Sequence, residues 1–370
     1  MSNIPPSVND KKERKAVMLQ SVTIKEIAKE CNVSDTTVSN ILNGKPKASE
    51  ETRKRVLAVV EEKGYKPNYI AQGLRQNKTK TIGVIAEDIA QFTTPGMIES
   101  IMAYCEDNGY RTIVQNLRLY GRWEDKWYNN EKNYCSVLDG VLQELNSVKV
   151  DGIIYLAGHA RIVSSFVRRC TFPAVMAYAY TKDANIPSVV IDDEASSFEI
   201  NRYIISMGHR KIGVVAGRND NIHTEKRLLG YQRALCEAGI LFNPELVQYG
   251  DWERKSGQTA AKTLVDRGVT AIFCMADRMA GGVYDYLEEQ GLRVGTDISV
   301  AGFDNQDMAE YFRPGLTTMA LPLSQIGRHA ARLLLDKLTG KTADEETGEA
   351  CKEIYIPCRL IERKSVAKIL

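Results

Sequence analysis

The stretch Val33–Pro46, VSDTTVSNILNGKP, splits into two faces once it is wound as a helix. Val38, Ile41 and Leu42 recur at helical spacing and form an apolar face suited to a core. Asp35, Thr36, Ser39, Asn40 and Asn43 fall at i, i+1, i+4, i+5 and i+8, one stripe of short side chains that can all hydrogen-bond. Such a stripe lets a helix approach its partner closely while keeping donors and acceptors at the surface.

The flanks predict two more helices. Thr23-Ile24-Lys25-Glu26 fits a capping box, with Ile24, Ile27 and Ala28 on the apolar face of a helix running to about Cys31. Cys31-Asn32-Val33 is a tight connection, and Ser34 caps the quoted helix, which ends near Asn43-Gly44. Ser49 caps a third helix with Glu50 and Glu51 in its first turn, Val56, Val59 and Val60 facing inward, and Gly64 as its stop. Two short helices joined this tightly make a helix-turn-helix, whose second helix enters the DNA major groove and reads base edges with its N-terminal residues.

Charge distribution agrees. The net charge of the 370-residue chain is +2, yet residues 1–80 carry 16 Lys+Arg against 9 Asp+Glu, and the remainder carries 33 against 38. A basic end on a slightly acidic body points to a polyanionic partner for that end. The eight cysteines are scattered without a CxxC pair, which predicts reduced thiols and no metal site. No secretory h-region and no membrane span is found, so a cytoplasmic protein with no membrane partner is expected.

Residues 23–75, TIKEIAKECNVSDTTVSNILNGKPKASEETRKRVLAVVEEKGYKPNYIAQGLR, resemble the headpiece of the lactose-repressor (LacI/GalR) family of bacterial transcription regulators, without a gap. The similarity continues to about residue 365. The resemblance implies that Asp35 and Thr36 are base-reading positions, with Ser39 and Asn40 following on the same face. It places Thr23, Ser34 and Thr37 on phosphates, which set register rather than sequence. It makes residues 69–80 a hinge helix and linker, with Leu74 wedged into the minor groove to bend the duplex. Gly73 departs from a good helix former there. Asn40 stands where the family usually has an Arg that reads guanine, and Asp35 is also unusual, since a carboxylate can only accept.

The body contains a weak internal repeat. Ile82-Gly83-Val84-Ile85 matches Ile212-Gly213-Val214-Val215, and Val150–Tyr155 parallels Val269–Cys274. Apolar strands alternating with amphipathic helices predict parallel sheets covered by helices. The expected fold class is α/β: a helix-turn-helix headpiece, then a periplasmic-binding-protein-like core of two doubly wound parallel-sheet lobes. The expected divisions are a disordered extension at 1–20, the headpiece at 21–68, the hinge at 69–80 and the core at 81–370. Within the core, the N-lobe is expected to hold 81–188 and 320–340, and the C-lobe 189–319 and 341–370, with crossovers near 188–192, 319–321 and 340.

Nothing catalytic is legible. No P-loop, GxGxxG, GxSxG or HExxH occurs, and the four histidines lack metal-ligand spacing. Asp192-Asp193 reads as a strand end and His209 as structural. No enzyme, cofactor or metal is expected. The family resemblance implies a ligand cleft instead, with Arg227 donating to a sugar or purine and Trp252 stacking on its ring. Asp277 and Asp304 are expected to accept from ligand hydroxyls. In the first lobe the family's Asn-Pro-Phe-Phe is replaced by Gln91-Phe92-Thr93-Thr94, leaving Phe92 as an apolar wall. The stretch Leu119–Tyr128 is longer than the family norm and reads as a cluster packed on the lobe or a partner surface. The expectation is a homodimeric repressor on a near-palindromic DNA operator, controlled by a sugar. Control by a phosphorylated partner protein and a solute-binding module are the alternatives.

Asn40→Arg is predicted to shift the preferred operator toward guanine at that position. Selection of binding sites from a random DNA pool checks this, and an unchanged selected motif would refute it.

Overall fold

A computed structural model describes residues 22–42, 44–65, 79–124, 132, 134–341 and 353–369, and among the described residues of the N-terminal unit there are three helices. They are α1 (Ile24–Glu30), α2 (Asp35–Leu42) and α3 (Glu50–Glu62). Both arms of the capping box form, with the Thr23 N–H donating to Glu26 at 2.7 Å and Thr23 Oγ1 accepting the Glu26 N–H at 3.3 Å. Asn32 turns the chain between α1 and α2 with φ of 49°, a left-handed conformation that Asn tolerates. Ile27, Val38, Ile41 and Val56 are buried at the centre, where the apolar spacing placed them. The expected 1–20 extension and Leu74 of the hinge lie outside the described residues.

The chain divides into Met1–Thr79 and Lys80–Leu370. In the second unit the N-lobe opens with β1 (Thr81–Ala86), α4 (Thr94–Asp107), β2 (Arg111–Asn116), α5 (Leu119–Trp123) and α6 (Cys135–Ser147). It continues with β3 (Gly152–Leu156), α7 (Ser165–Arg169), β4 (Ala174–Ala177) and β5 (Ser188–Ile191). The C-lobe follows with α8 (Asp193–Ser206), β6 (Ile212–Ala216), α9 (Ile222–Glu237), β7 (Val247–Tyr249) and α10 (Arg254–Asp266). Then come β8 (Ala271–Cys274), α11 (Asp277–Glu289), β9 (Ser299–Asp304), α12 (Met308–Tyr311) and β10 (Thr317–Ala320). The chain returns to the N-lobe as α13 (Leu323–Thr339) and β11 (Glu353–Ile356), and ends its strands with β12 (Arg359–Ile361).

The sheet orders are β11-β5-β4-β3-β1-β2 and β12-β10-β9-β8-β6-β7, so the repeat seen in sequence is a repeat of topology. The match extends to packing. A Cβ on Gly83 would come within 3.0 Å of Leu145 of α6, and one on Gly213 within 2.9 Å of Leu264 of α10. In each lobe a strand glycine makes room for a helix leucine.

The third crossover differs from expectation. It lies at 356–359 rather than near 340, because β11 pairs in parallel with β5 as the N-lobe's edge strand. Residues 353–356 thus leave the C-lobe to which 341–370 had been assigned, and 189–191 of β5 belong to the N-lobe sheet. β11 ends at the carboxyl edge of its sheet, and only Pro357 and Cys358 separate it from β12. The chain therefore enters the C-lobe at the cleft and must run back, which makes β12 antiparallel to β10.

One buried ion pair anchors the N-lobe's cleft edge. Glu87 is fully buried just after β1, and Arg161 is almost so. Arg161 Nη2 donates to Glu87 Oε1 at 2.6 Å, Tyr155 Oη donates to the same oxygen at 2.8 Å, and the Gly158 N–H takes Oε2 at 3.1 Å. Arg161→Ala would strand that carboxylate, and urea unfolding should show a loss of about 3–5 kcal/mol. A Glu87→Leu/Arg161→Leu double variant should lose less, since it leaves no buried charge.

Candidate functional site

Two faces carry chemistry, one in each unit. In the headpiece, Ser34, Asp35 and Thr36 are exposed, while Thr37, Ser39 and Asn40 of α2 are half-buried. Ser34 Oγ accepts the Thr37 N–H at 3.1 Å and lies 2.9 Å from the Thr37 hydroxyl. Thr23 and Ser34 thus stand at the N-termini of α1 and α2, where free backbone N–H groups favour an anion. Asp35 and Thr36 of the polar stripe face outward, and its apolar counterpart, Val38 and Ile41, is buried.

In the second unit a cavity of about 360 Å³ opens between the lobes. Most of its wall lies just beyond the carboxyl end of a strand, where open parallel sheets place ligands. The N-lobe contributes Gln91, Phe92 and Thr93 after β1, Tyr120 of α5, His159 after β3 and Tyr178 after β4. The C-lobe contributes Asn221, His223 and Arg227 around the start of α9, Trp252 after β7, Arg278 of α11, and Asp304 and Gln306 at the end of β9.

Arg227 is buried and tightly held. Its Nε donates to Asp193 Oδ1 at 2.7 Å, and Nη1 donates to the Met275 carbonyl. Its guanidinium carbon lies 3.7 Å from the centroid of Phe303 and 5.9 Å from that of Trp252. Trp252 sits in a left-handed backbone conformation with φ of 73°. Gly217 makes room for its indole, since a Cβ there would fall 2.0 Å from the ring. Asp304 is held at φ of 116°, and Tyr178 at 59°. Three wall residues thus carry backbone conformations that cost on the order of 1–3 kcal/mol each, as strained functional sites often do.

The acids behave differently from one another. Burial alone would raise the Asp193 carboxyl, but His223 and Arg227 beside it outweigh that and hold it below its usual range. Burial pushes Asp304 up to about 7, with Arg227 and the Gln306 amide opposing. Burial also drives His159 down to about 3, so its ring is neutral.

Phe92, Arg227, Trp252 and Asp304 all line the cavity as expected positions of the cleft. Asp277 does not. It opens α11 fully buried, accepting the Thr318 hydroxyl at 2.6 Å and the Gln306 N–H at 2.8 Å, so both oxygens are occupied behind the wall. Gly302 makes this possible, since a Cβ there would fall 2.3 Å from Asp277 Oδ1. Asp277 therefore orients Gln306 rather than facing a ligand. Leu74 lies outside the described residues. Among the described residues of the aromatic stretch, Tyr120 reaches the cavity, and Leu119 and Trp123 pack on the N-lobe core.

Sequence reasoning missed Asp193 and His223. Asp192 is indeed a cap, accepting the Ala195 N–H at 3.0 Å, but its neighbour is the partner of Arg227. The spacing of His223 four residues before Arg227, on one helix face, was a usable signal.

Comparison with known proteins agrees with this fold. Residues 23–68 match the model of bacterial regulatory proteins of the lacI family, and residues 202–366 match a periplasmic binding protein-like domain. Catabolite control protein A of Priestia megaterium is 33% identical over 351 residues, covering 93% of this chain and 99% of that protein. The HTH-type transcriptional repressor PurR of Salmonella paratyphi B is 33% identical over 350 residues, covering 93% and 97%. The structure of the lac repressor dimer bound to operator and the anti-inducer ONPF superposes with a TM-score of 0.76 at 24% identity, covering 94% of this chain and 100% of that one. A complex of the transcriptional regulator CelR with cellobiose superposes at 0.63 with 26% identity, covering 93% and 99%. With a headpiece that matches the family model and relatives alike over nearly its whole length, the chain belongs to the lacI family of bacterial regulatory proteins and is a DNA-binding transcriptional regulator.

Proposed function

We propose that this regulator is a homodimeric repressor whose grip on a near-palindromic operator is set by a small molecule in the interlobe cavity, a sugar or sugar derivative. The observation that carries this reading is the cavity itself. Trp252 supplies an aromatic face, Arg227 supplies a fixed donor beside it, and Asp304 supplies an acceptor at the end of β9. That combination suits a ring bearing hydroxyl groups, which is apolar on its face and polar at its rim. Asp35, Thr36, Ser39 and Asn40 read bases, Thr23, Ser34 and Thr37 hold phosphates, and Leu74 wedges the operator centre. Ligand binding at the cleft shifts one lobe against the other and changes the fit of two headpieces to one site, so operator and ligand alter each other's affinity by the same factor.

A thermal-shift screen of the full chain against sugars, sugar phosphates, nucleosides and purines tests this. A sugar at about 100 times its Kd should stabilise by about 2.7 kcal/mol and raise the Tm accordingly. Asp304→Asn should abolish most of that rise. A response to purines alone would refute the sugar reading, and an operator affinity unmoved by the stabilising ligand would refute the mechanism.

Asp304 also sets a pH dependence in the ligand-free protein. Its folded-state value of about 7 stands above the ordinary 3.8, so the folded chain binds the extra proton. The associated stability is complete at low pH and is lost as pH rises through that window. Asp304→Asn should flatten the fall in stability between about pH 4 and about pH 7. Urea midpoints measured across that range check it.

A further inference from the structure

A hydrogen bond crosses the cleft beside the cavity. The Ala160 N–H, in the N-lobe loop after β3, donates to His223 Nε2 of α9 in the C-lobe at 3.1 Å. A backbone N–H can only donate, so Nε2 presents a lone pair and the ring proton sits on Nδ1. Nδ1 then donates to Asp193 Oδ2 at 2.7 Å, and the other oxygen of that carboxylate holds Arg227. Both ends are anchored. Arg161, the residue after Ala160, is tied to buried Glu87, and Asp193 directly follows the first crossover. The Tyr178 ring, from the N-lobe, lies 5.3 Å from the imidazole.

We propose that His223 is a positioning residue that, as a neutral imidazole, latches the N-lobe loop at Ala160 to the Asp193–Arg227 pair and holds the lobes together around the cavity. The regulatory meaning of the latch rests on the ligand reading of that cavity, but the hydrogen bond does not. A second ring proton would set donor against donor and break the link. Asp193 and, one turn along α9, Arg227 are charged groups beside the ring. Tyr178 and His159 face the ring uncharged, the first raised and the second lowered by burial. Acidification therefore loosens the lobes.

The test uses the ligand-free full chain and reads hydrogen–deuterium exchange at the Ala160 amide. His223→Phe keeps a ring without an acceptor, and His223→Gln keeps an acceptor on a flexible stem. Exchange at Ala160 should quicken on the order of tenfold in His223→Phe, with β1 and β6 amides unchanged, and should recover partly in His223→Gln. With only four histidines in the chain, the ring ¹⁵N signals of His223 can be assigned by its substitution. On acidification of the wild type, protection at Ala160 should fall in step with protonation of that ring. Protonation of the ring with undiminished protection overturns the proposal, as does unchanged exchange in a folded His223→Phe. If His223→Phe loses protection in β1 and β6, the wild-type acidification series decides. Because no ligand or operator enters these measurements, a failed ligand screen leaves the result standing, and a failed latch leaves the cavity reading standing.

Discussion

The Asp193 carboxylate organises the cleft. A charge buried this completely is tolerable only when donors surround it. Here Arg227 and His223 supply them from successive turns of one helix. The carboxylate sits at the first residue of α8, directly after the chain has crossed from one lobe to the other. The same group therefore aims the cavity's arginine and marks the joint between the lobes. Arg227 in turn reaches the Met275 carbonyl and lies on Phe303, so its direction is over-determined.

The cavity wall is strained, and the frame behind it is not. Tyr178, Trp252 and Asp304 hold left-handed or otherwise sparse backbone conformations, each at or near the carboxyl end of a strand. The inner strands of both sheets are buried almost throughout, and glycines in β1 and β6 admit helix leucines at equivalent points of the two sheets. A frame packed this closely can hold side chains in positions that a loop alone would relax. Gly217 beneath the indole and Gly302 beside Asp277 show the same device at the wall itself, where the absence of a side chain creates the space.

The headpiece works by a different balance. Its core is a handful of aliphatic residues on three helices, and its helix starts are capped by Thr23, Ser34 and Ser49. The side chains left outward are short and polar. Their value lies in what they present to a groove, since surface hydrogen-bonding groups add little to the stability of so small a unit.

Local rules made much of this legible in sequence. Capping patterns and apolar spacing identified α1 to α3 with their buried faces, because helix ends and amphipathic stripes depend on residues a few positions apart. The repeated strand motif identified two similar lobes, and the family resemblance put Arg227, Trp252 and Asp304 in the cleft. What only the tertiary structure decided is which groups meet. Asp193 and Arg227 lie 34 residues apart and their pairing has no local signature. Asp277 follows a strand and Asp304 ends one, yet Asp304 faces the cavity and Asp277 turns inward, because Gly302 leaves room for the Asp277 carboxylate and Thr318 on the next strand donates to it. The edge strand Glu353–Ile356 likewise pairs with β5, a partner more than 160 residues earlier in the chain. Sequence determines the elements because their physics is short-ranged, and the long-range choice of partners, in charge pairs and in sheet edges, exists only once the lobes have packed.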